Sequence, residues 1–492
     1  MNSSASASAA VTDNQTSTRS PPSFRDSPAS SSREVSQRPL KIGLLSDTFL
    51  PVSNGVTHMV ASLARCLAQA GHEPHIFTFA PTGELRVEPE RLLEESPHFL
   101  RVPPRDDAPL IDGVQIHYAP ALPLLRSGYY FGVRYPVWMR SLLREMDILH
   151  VHHPFISGRL ALRLRRDEQP IVFTNHTRYD IYSNYLQEMV QRSMQPSWMT
   201  QPWIGPMIPP ESLARRLTLR AARFANLCDA VVAPSESIRH VLQEWGIRAP
   251  LVTIPNGVDL SRFELQQSNV NDEDNAVHTS STRCRVSTRN AMRRDLKIEA
   301  DAPVALYLGR LAPEKNGRAL LESFAVASAQ VARARLIVVG DGPSNEEWRL
   351  WAQEFGVENS VVFTGAVSAR DVPALLEVAD VFVSASVSEV HPLTFIEAMA
   401  SGLPCVGTPS PGVCDMICDG KNGEARNGWL AEPSPPLFAQ ALIEALSNGE
   451  ERARRGAQAR EDSRNYAIER TVSGVLELYQ NVLAGSSSVV SV

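Results

Sequence analysis

The feature that most constrains this chain is a pattern present in both of its halves: a short apolar run, a break at polar or glycine residues, a helix-period stretch, then another apolar run. KIGLLS (41–46) is short and continuously apolar, the signature of a strand buried on both faces of a parallel sheet. A loop holding Asn54-Gly55 follows. VTHMVASLARCLAQA (56–70) then has helical spacing, Gly71 supplies a stop, and EPHIFTF (73–79) is the next strand. DILHVHH (147–153), PIVFTNH (170–176), DAVVAPS (229–235) and LVTIPNGVD (251–259) extend the first half. The second half restarts with APVALYLGR (302–310), ARLIVVGDG (334–342), SVVFTGA (360–366), ADVFVSAS (379–386) and PCVGT (404–408). Helical stretches such as 317–331 and 371–379 lie between these runs, and a final helix is expected over roughly 465–484. Alternation of this kind predicts an α/β protein of two doubly wound, Rossmann-like domains facing each other across a cleft. Ligands then meet the carboxyl ends of the strands.

Length agrees, because 492 residues exceed what one core usually serves, and 43% hydrophobic content is enough for two. The expected divisions are a Ser-rich tail at 1–38, a first domain at 39–262, a polar linker or insertion at 263–299, a second domain at 300–464, and a C-terminal helix and tail at 465–492. The tail holds twelve serines and no apolar run, so it reads as unable to bury enough surface to fold and as no secretory signal. Asp13, Asp26 and Glu34 speak against a transit peptide. A net charge of -6 argues against nucleic acid as a partner. Six cysteines in so long a chain are no disulfide framework; reduced thiols and a cytoplasmic setting are expected. No stretch approaches the ~18 apolar residues of a membrane span.

The most specific motif is SEVHPLTFIEAMASGLPCVG (388–407). A strand precedes it and a helix should begin near Pro392, a residue tolerated at a helix start. Free N–H groups there, with the helix dipole, attract a phosphate. Glu389 lies before the helix and Glu397 inside it, about 12 Å apart if all eight residues were helical. That span matches the distance from the sugar of a nucleotide sugar to its ribose, and a carboxylate accepts two hydrogen bonds from a vicinal diol. Two surface glutamates on an ordinary helix are the alternative, which the apolar surroundings disfavour. GRLAPEKNG (309–317) puts Arg310 and Lys315 at a strand's carboxyl end, where fixed cations can offset the charge of a leaving diphosphate. On its own such a pair fits a solvated basic turn better. Asn54-Gly55-Val56 and TNHTRYDIYSNYL (174–186) are the remaining candidates; Gly55 permits close backbone approach, and His176 ends a strand that should face the cleft.

E-x7-E followed by Ala-Met-Ala-Ser-Gly resembles the family-4 retaining glycosyltransferases of the GT-B fold, and the likeness runs from Lys41 to about residue 484. The resemblance implies that Glu389 lies by the donor sugar as a catalytic group, that Glu397 binds ribose, and that Arg310 and Lys315 of G-R-x4-K sit on the diphosphate. It also implies that the Gly55 loop closes over that diphosphate and that His176 stands beside the sugar's 6-hydroxyl. Many members have glycine directly after the first glutamate; here Val390-His391-Pro392-Leu393 stands instead. Backbone contacts from His391 through Leu393 and Thr394 are expected, with His391 toward the sugar, and the sugar's identity stays open. His152 and His153 raise a metal reading, but no carboxylate has suitable spacing and the fold class generally works without metal, so no cofactor is expected.

For the acceptor, ESLARRLTLRAARF (211–224) carries Arg216, Arg220 and Arg223 on one face and Leu213, Leu217, Ala221 and Phe224 on the next. That is the pattern of a helix on an anionic membrane, and equally of a domain face packed on its core. Trp198, Trp203, Met207 and Ile208 precede it, and Tyr129, Tyr130, Phe131, Tyr135 and Trp138 cluster with Arg126 and Arg134. The opening SDTFLP…NGV and the THTRYD-like segment NHTRYD (175–180) look most like the branch that glucosylates diacylglycerol; a related branch mannosylates phosphatidylinositol. The expected activity is therefore transfer of a hexose, glucose from a UDP-linked donor, to a lipid hydroxyl by a peripheral protein on the inner face of the membrane. A soluble glycan or metabolite glycosyltransferase, and a catalytically silent nucleotide-binding scaffold, are the rival readings.

Overall fold

The computed structural model describes residues 38–50, 54–81, 110–111, 113–123, 130–132, 134–181, 209–264, 289–417 and 426–485. The Ser-rich tail, most of the polar insertion, Tyr129, Arg126 and the Trp198–Ile208 segment lie outside them.

The first half is built on a nine-stranded sheet. Its strands are β1 (Lys41–Leu45), β2 (Glu73–Pro81), β3 (Leu110–Ile111), β4 (Val114–Pro123), β5 (Tyr130–Gly132), β6 (Ile148–Val151), β7 (Ile171–Thr174), β8 (Ala230–Ala233) and β9 (Leu251–Thr253). The order is β3-β4-β2-β1-β6-β7-β8-β9, with β5 on β4. Pairing is parallel except at β3–β4 and β4–β5. The second half carries β10 (Val304–Leu308), β11 (Arg335–Val339), β12 (Val361–Gly365), β13 (Val381–Ser384), β14 (Cys405–Gly407) and β15 (Gly428–Leu430), in the order β12-β11-β10-β13-β14-β15 and parallel throughout. β6, β7, β8 and β13 are buried at every residue, as strands covered on both faces must be.

This order fixes where a ligand can sit. β1 pairs with both β2 and β6, and β10 with both β11 and β13. The connections leaving the two neighbours turn to opposite sides, which opens a crevice at the carboxyl ends of β1 and β6 and of β10 and β13. The segments after those strands hold Ser46 to Gly55, His152 and His153, Arg310 to Lys315, and Glu389. Backbones crowd there: a Cβ on Gly340, whose φ is +132°, would lie 2.0 Å from the carbonyl oxygen of Gly309.

Two expectations change. The stretch taken as linker is partly structural, since 289–295 is helical and belongs to the second half. Its Arg293 is buried and donates to the carbonyls of Val378 (3.0 and 2.8 Å), Ala300 (2.8 Å) and Ala302 (2.9 Å) and to Asp380 (3.1 Å). A single arginine so close to an irregular polar run leaves no periodicity to read. The final helix, Ile468–Leu483, does not stand apart: Ile468, Val472, Val475, Leu478 and Tyr479 complete a core of the first half with Ile42, Leu44, Val60 and Leu63. The chain crosses back beside Gly257, where a Cβ would meet the Ile468 backbone at 2.6 Å.

Candidate active site

β10 ends at Leu308, and a 3-10 turn at Pro313–Lys315 then lifts Lys315 toward β13. Asn316 takes the left-handed conformation (φ 53°, ψ 45°) and donates to the Ala385 carbonyl at 3.3 Å, which ties this turn to the segment after β13. Lys315 Nζ consequently donates to Glu389 Oε1 at 2.6 Å. Arg310 donates to Glu314 at 2.6 Å, and its carbonyl accepts from the buried Tyr307 hydroxyl at 3.0 Å. Both cations expected at a diphosphate thus lie at the carboxyl end of β10, and Lys315 is in contact with the glutamate expected at the sugar. Burial alone would raise the Glu389 pKa; the Lys315 ammonium and its hydrogen bond, with the Ser386 hydroxyl, outweigh that and hold the carboxylate below its usual range.

The helix Leu393–Ala400 follows Pro392 as its N-cap and has no side-chain cap, so the N–H groups of Leu393 and Thr394 stand at the positive end of the dipole with no capping side chain. Leu393 packs against the cores of both halves, and Thr394 is half-buried. Val390 is buried among first-half residues that include Val151 and Phe173. The segment carrying Glu389 therefore reaches the strand ends that carry His152 and His176. His391, expected toward the sugar, is buried; its ring meets Tyr466 edge-on at 5.2 Å, and its carbonyl accepts from Asn256 at 3.2 Å. Its Nδ1 has no partner among the described residues, and burial lowers its pKa to about 4.

Glu397 points from the same helix toward Arg262 at 3.8 Å. Burial pushes its pKa up to about 7, and Arg262 restrains the rise only in part. Gly55 is not in a turn: Asn54 caps the helix Gly55–Gln69, accepting from the Thr57 N–H at 2.9 Å, and Gly55 is its first residue. A Cβ there would meet nothing within 4 Å. His176, after β7, has Nε2 2.9 Å from Nδ1 of His152.

Several residues of the site escape the sequence reading. Arg262, Asn256 and Glu314 each touch an expected site residue, yet a lone Arg, an Asn-Gly after a strand and a Glu in a turn carry no signal by type. Asp47 was also missed; it accepts from the N–H groups of Ile156 (3.3 Å) and Ser157 (2.6 Å) and braces the loop after β1 against the segment after β6. Among the described residues no cluster of three or more His, Cys, Asp or Glu could hold a metal.

Two parallel-sheet Rossmann-like domains, with a lysine–glutamate pair and an uncapped helix start at the switch point of the second, define a glycosyltransferase of the GT-B class. The family described as "Glycosyltransferase Family 4" matches residues 53–262, and that described as "Glycosyl transferases group 1" matches 288–462. The chain belongs to this family of glycosyltransferases. Among its relatives are the alpha-monoglucosyldiacylglycerol synthases of Streptococcus pneumoniae (27% identical, 83% of this chain and 78% of that one) and Acholeplasma laidlawii (25%, 78% and 84%). A GDP-mannose-dependent alpha-mannosyltransferase of Corynebacterium glutamicum is 25% identical over 92% of this chain and 91% of its own. The fold is shared with sucrose-phosphate synthase of Thermosynechococcus elongatus (TM-score 0.64, 19% identical, 90% of this chain and 99% of that one). It is shared also with the HepE protein of Anabaena in complex with UDP and glucose (TM-score 0.62, 17%, 90% and 99%).

Proposed function

We propose that this glycosyltransferase moves glucose from UDP-glucose to the free hydroxyl of diacylglycerol, with retention of configuration. The observation that carries the reading is the Lys315–Glu389 contact at the switch point. It sets a carboxylate for the sugar beside a cation for the diphosphate, one turn from an uncapped helix start. The sugar's C1–O bond to phosphate breaks and a C1–O bond to the acceptor forms on the same face. The acceptor's proton passes to a diphosphate oxygen, so no enzyme nucleophile is required. Glu389 orients the sugar and supports its developing positive charge. Arg310 and Lys315 hold the leaving diphosphate, and the reading calls on no metal for that charge. Glu397 accepts from ribose, and the backbone at Leu393 and Thr394 donates to phosphate. His176 lies by the sugar, and Gly55 closes the donor side. Each carbohydrate and phosphate group thus has a matched partner type within the site.

Diacylglycerol as acceptor is supported by the two monoglucosyldiacylglycerol synthases and by the exposed face of the helix Pro210–Ala225. Arg216, Arg220 and Arg223 of that helix all face solvent. Ala221 and Phe224 are buried, Phe224 against Phe173 at 5.2 Å. The C-terminal part of the neighbouring apolar face therefore packs on the domain, with Leu213 and Leu217 half-buried, and a lipid surface would be met by the arginines together with Leu219, which is exposed. Docking of this kind makes the protein peripheral; among the described residues no helix is long and apolar enough to cross a membrane. The mannosyltransferase relative favours a second reading, with GDP-mannose as donor.

The deciding experiment offers radiolabelled UDP-glucose, UDP-galactose and GDP-mannose in turn with diacylglycerol vesicles, phosphatidylinositol vesicles and soluble sugars. Label from UDP-glucose should enter diacylglycerol with α configuration. Label passing only to soluble acceptors would overturn the lipid reading. Glu389→Gln should lower turnover roughly a hundredfold or more while UDP still binds, and full turnover by that variant would remove Glu389 from the chemistry.

A further inference from the structure

Behind His176 lies a row of histidines that the reaction as proposed does not use. Each neighbour is already engaged. His150 has Nδ1 2.7 Å from the Tyr479 hydroxyl and Nε2 2.6 Å from the Thr174 hydroxyl. His153 Nδ1 accepts from the Asp47 N–H at 3.2 Å and lies 3.2 Å from the Ser46 hydroxyl. His152 is fully buried, with its ring 4.4 Å from that of His150. One of its nitrogens, Nδ1, faces His176 Nε2 at 2.9 Å, and the other, Nε2, has no partner among the described residues.

Two neutral imidazoles joined by one hydrogen bond have two arrangements. If His176 donates, His152 must carry its proton on Nε2, an N–H buried with nothing to accept it. If His152 donates, its Nε2 is a bare lone pair. Buried orphan N–H groups are rarer and less tolerated than buried unsatisfied acceptors. That asymmetry favours the second arrangement, which places the His176 proton on Nδ1.

We propose that His152 is a positioning residue which fixes the tautomer of His176, so that His176 offers an N–H at Nδ1 to an oxygen of the bound donor sugar and cannot serve as a base. The inference rests on the reading that His176 borders that sugar. Burial holds the whole row uncharged: His152 lies well below the usual imidazole range and His176 at about 3, lowered further by the neighbouring histidines. A neutral donor suits a sugar hydroxyl or ring oxygen. It also keeps His176 from competing with the diphosphate for the acceptor's proton, in keeping with transfer on a single face.

The test uses the full chain labelled with 15N at histidine. Long-range 1H–15N correlations report which ring nitrogen carries the proton, and the His176 signals are identified as those lost in His176→Gln. Wild type should show His176 protonated on Nδ1; protonation on Nε2 overturns the proposal. Kinetics with UDP-[14C]glucose and diacylglycerol vesicles provide a second arm. His152→Leu should lower kcat roughly tenfold or more and leave the UDP dissociation constant nearly unchanged, because only the sugar end loses its partner. His152→Asn, whose amide N–H can stand where Nδ1–H stood, should restore most of kcat; equal loss in both variants, with UDP still bound, counts against a donor role. The underlying reading fails separately: full turnover by His176→Gln would remove His176 from the donor sugar whatever its tautomer.

Discussion

Glu397 and Glu389 lie eight residues apart, and their surroundings pull them in opposite directions. Lys315 keeps Glu389 ionised, whereas burial raises Glu397 to about 7. The sign of the stability effect follows. The folded protein holds the Glu397 proton more tightly than the unfolded chain, so stability declines as pH rises from the ordinary glutamate range through about 7, and stays lower above it. Glu397→Gln should therefore melt at a higher temperature than wild type at pH 8, by an amount worth roughly 1–3 kcal/mol, and show no such advantage at pH 4. Thermal melts at the two pH values decide it. UDP binding should strengthen between pH 6 and 8 as Glu397 ionises, and the variant should lose that dependence. Gly55 separates folding from function. Because a Cβ there meets nothing, Gly55→Ala should keep or slightly raise stability, by up to about 1 kcal/mol, while slowing transfer if a phosphate must approach that backbone. Unchanged turnover would free Gly55 from the donor site.

At the scale of elements, strands were legible and their neighbours less so. KIGLLS, DILHVHH and ADVFVSAS are apolar runs that only a buried parallel strand accommodates, and each forms one. β3, β4 and β5 do not share that signature: β4 pairs parallel with β2 and antiparallel with β3 and β5, at the open end of the sheet. The helix Pro210–Ala225 shows a different limit. Its arginines and leucines are spaced for a lipid surface and for a packed domain face alike, and spacing cannot say which side is covered. Phe224 and Ala221 are inside, so attraction to a membrane rests chiefly on the arginines, with Leu219 exposed beside them. Replacing Arg216, Arg220 and Arg223 with Glu should abolish sedimentation with anionic vesicles at low salt and leave the melting temperature within a few degrees. Sedimentation equal to wild type would sink the docking reading. The site was legible in the same uneven way. Glu389 and Glu397 stand out by their spacing after a strand, and Arg310 and Lys315 only by the likeness of G-R-x4-K to the family; Arg262, Asn256 and His152 are set by packing between distant segments, which no local window contains.

The molecule as a whole is tied together at its termini of structure. Beyond Val390 and Leu393, Asp415 of the second half accepts from the N–H (2.9 Å) and hydroxyl (2.6 Å) of Ser237 in the first. The helix Ile468–Leu483 supplies the first half with a large part of one core, and Tyr479 of that helix touches His150 in the histidine row. Leu478→Ala should cost about 2–5 kcal/mol, read by denaturant unfolding. A fragment of residues 38–262 should be poorly folded alone and gain protection from hydrogen exchange when residues 465–485 are supplied with it. A fully protected fragment without that helix would contradict the packing. That same return crossing sets a clock on biosynthesis. The last residues of the first half leave the ribosome some 220 residues before the helix that seals its core, roughly 10–45 s at ordinary elongation rates. For that interval the strands that bear His152 and His176 stand with one flank bare. The first half of this enzyme is thus finished last, although it is encoded first.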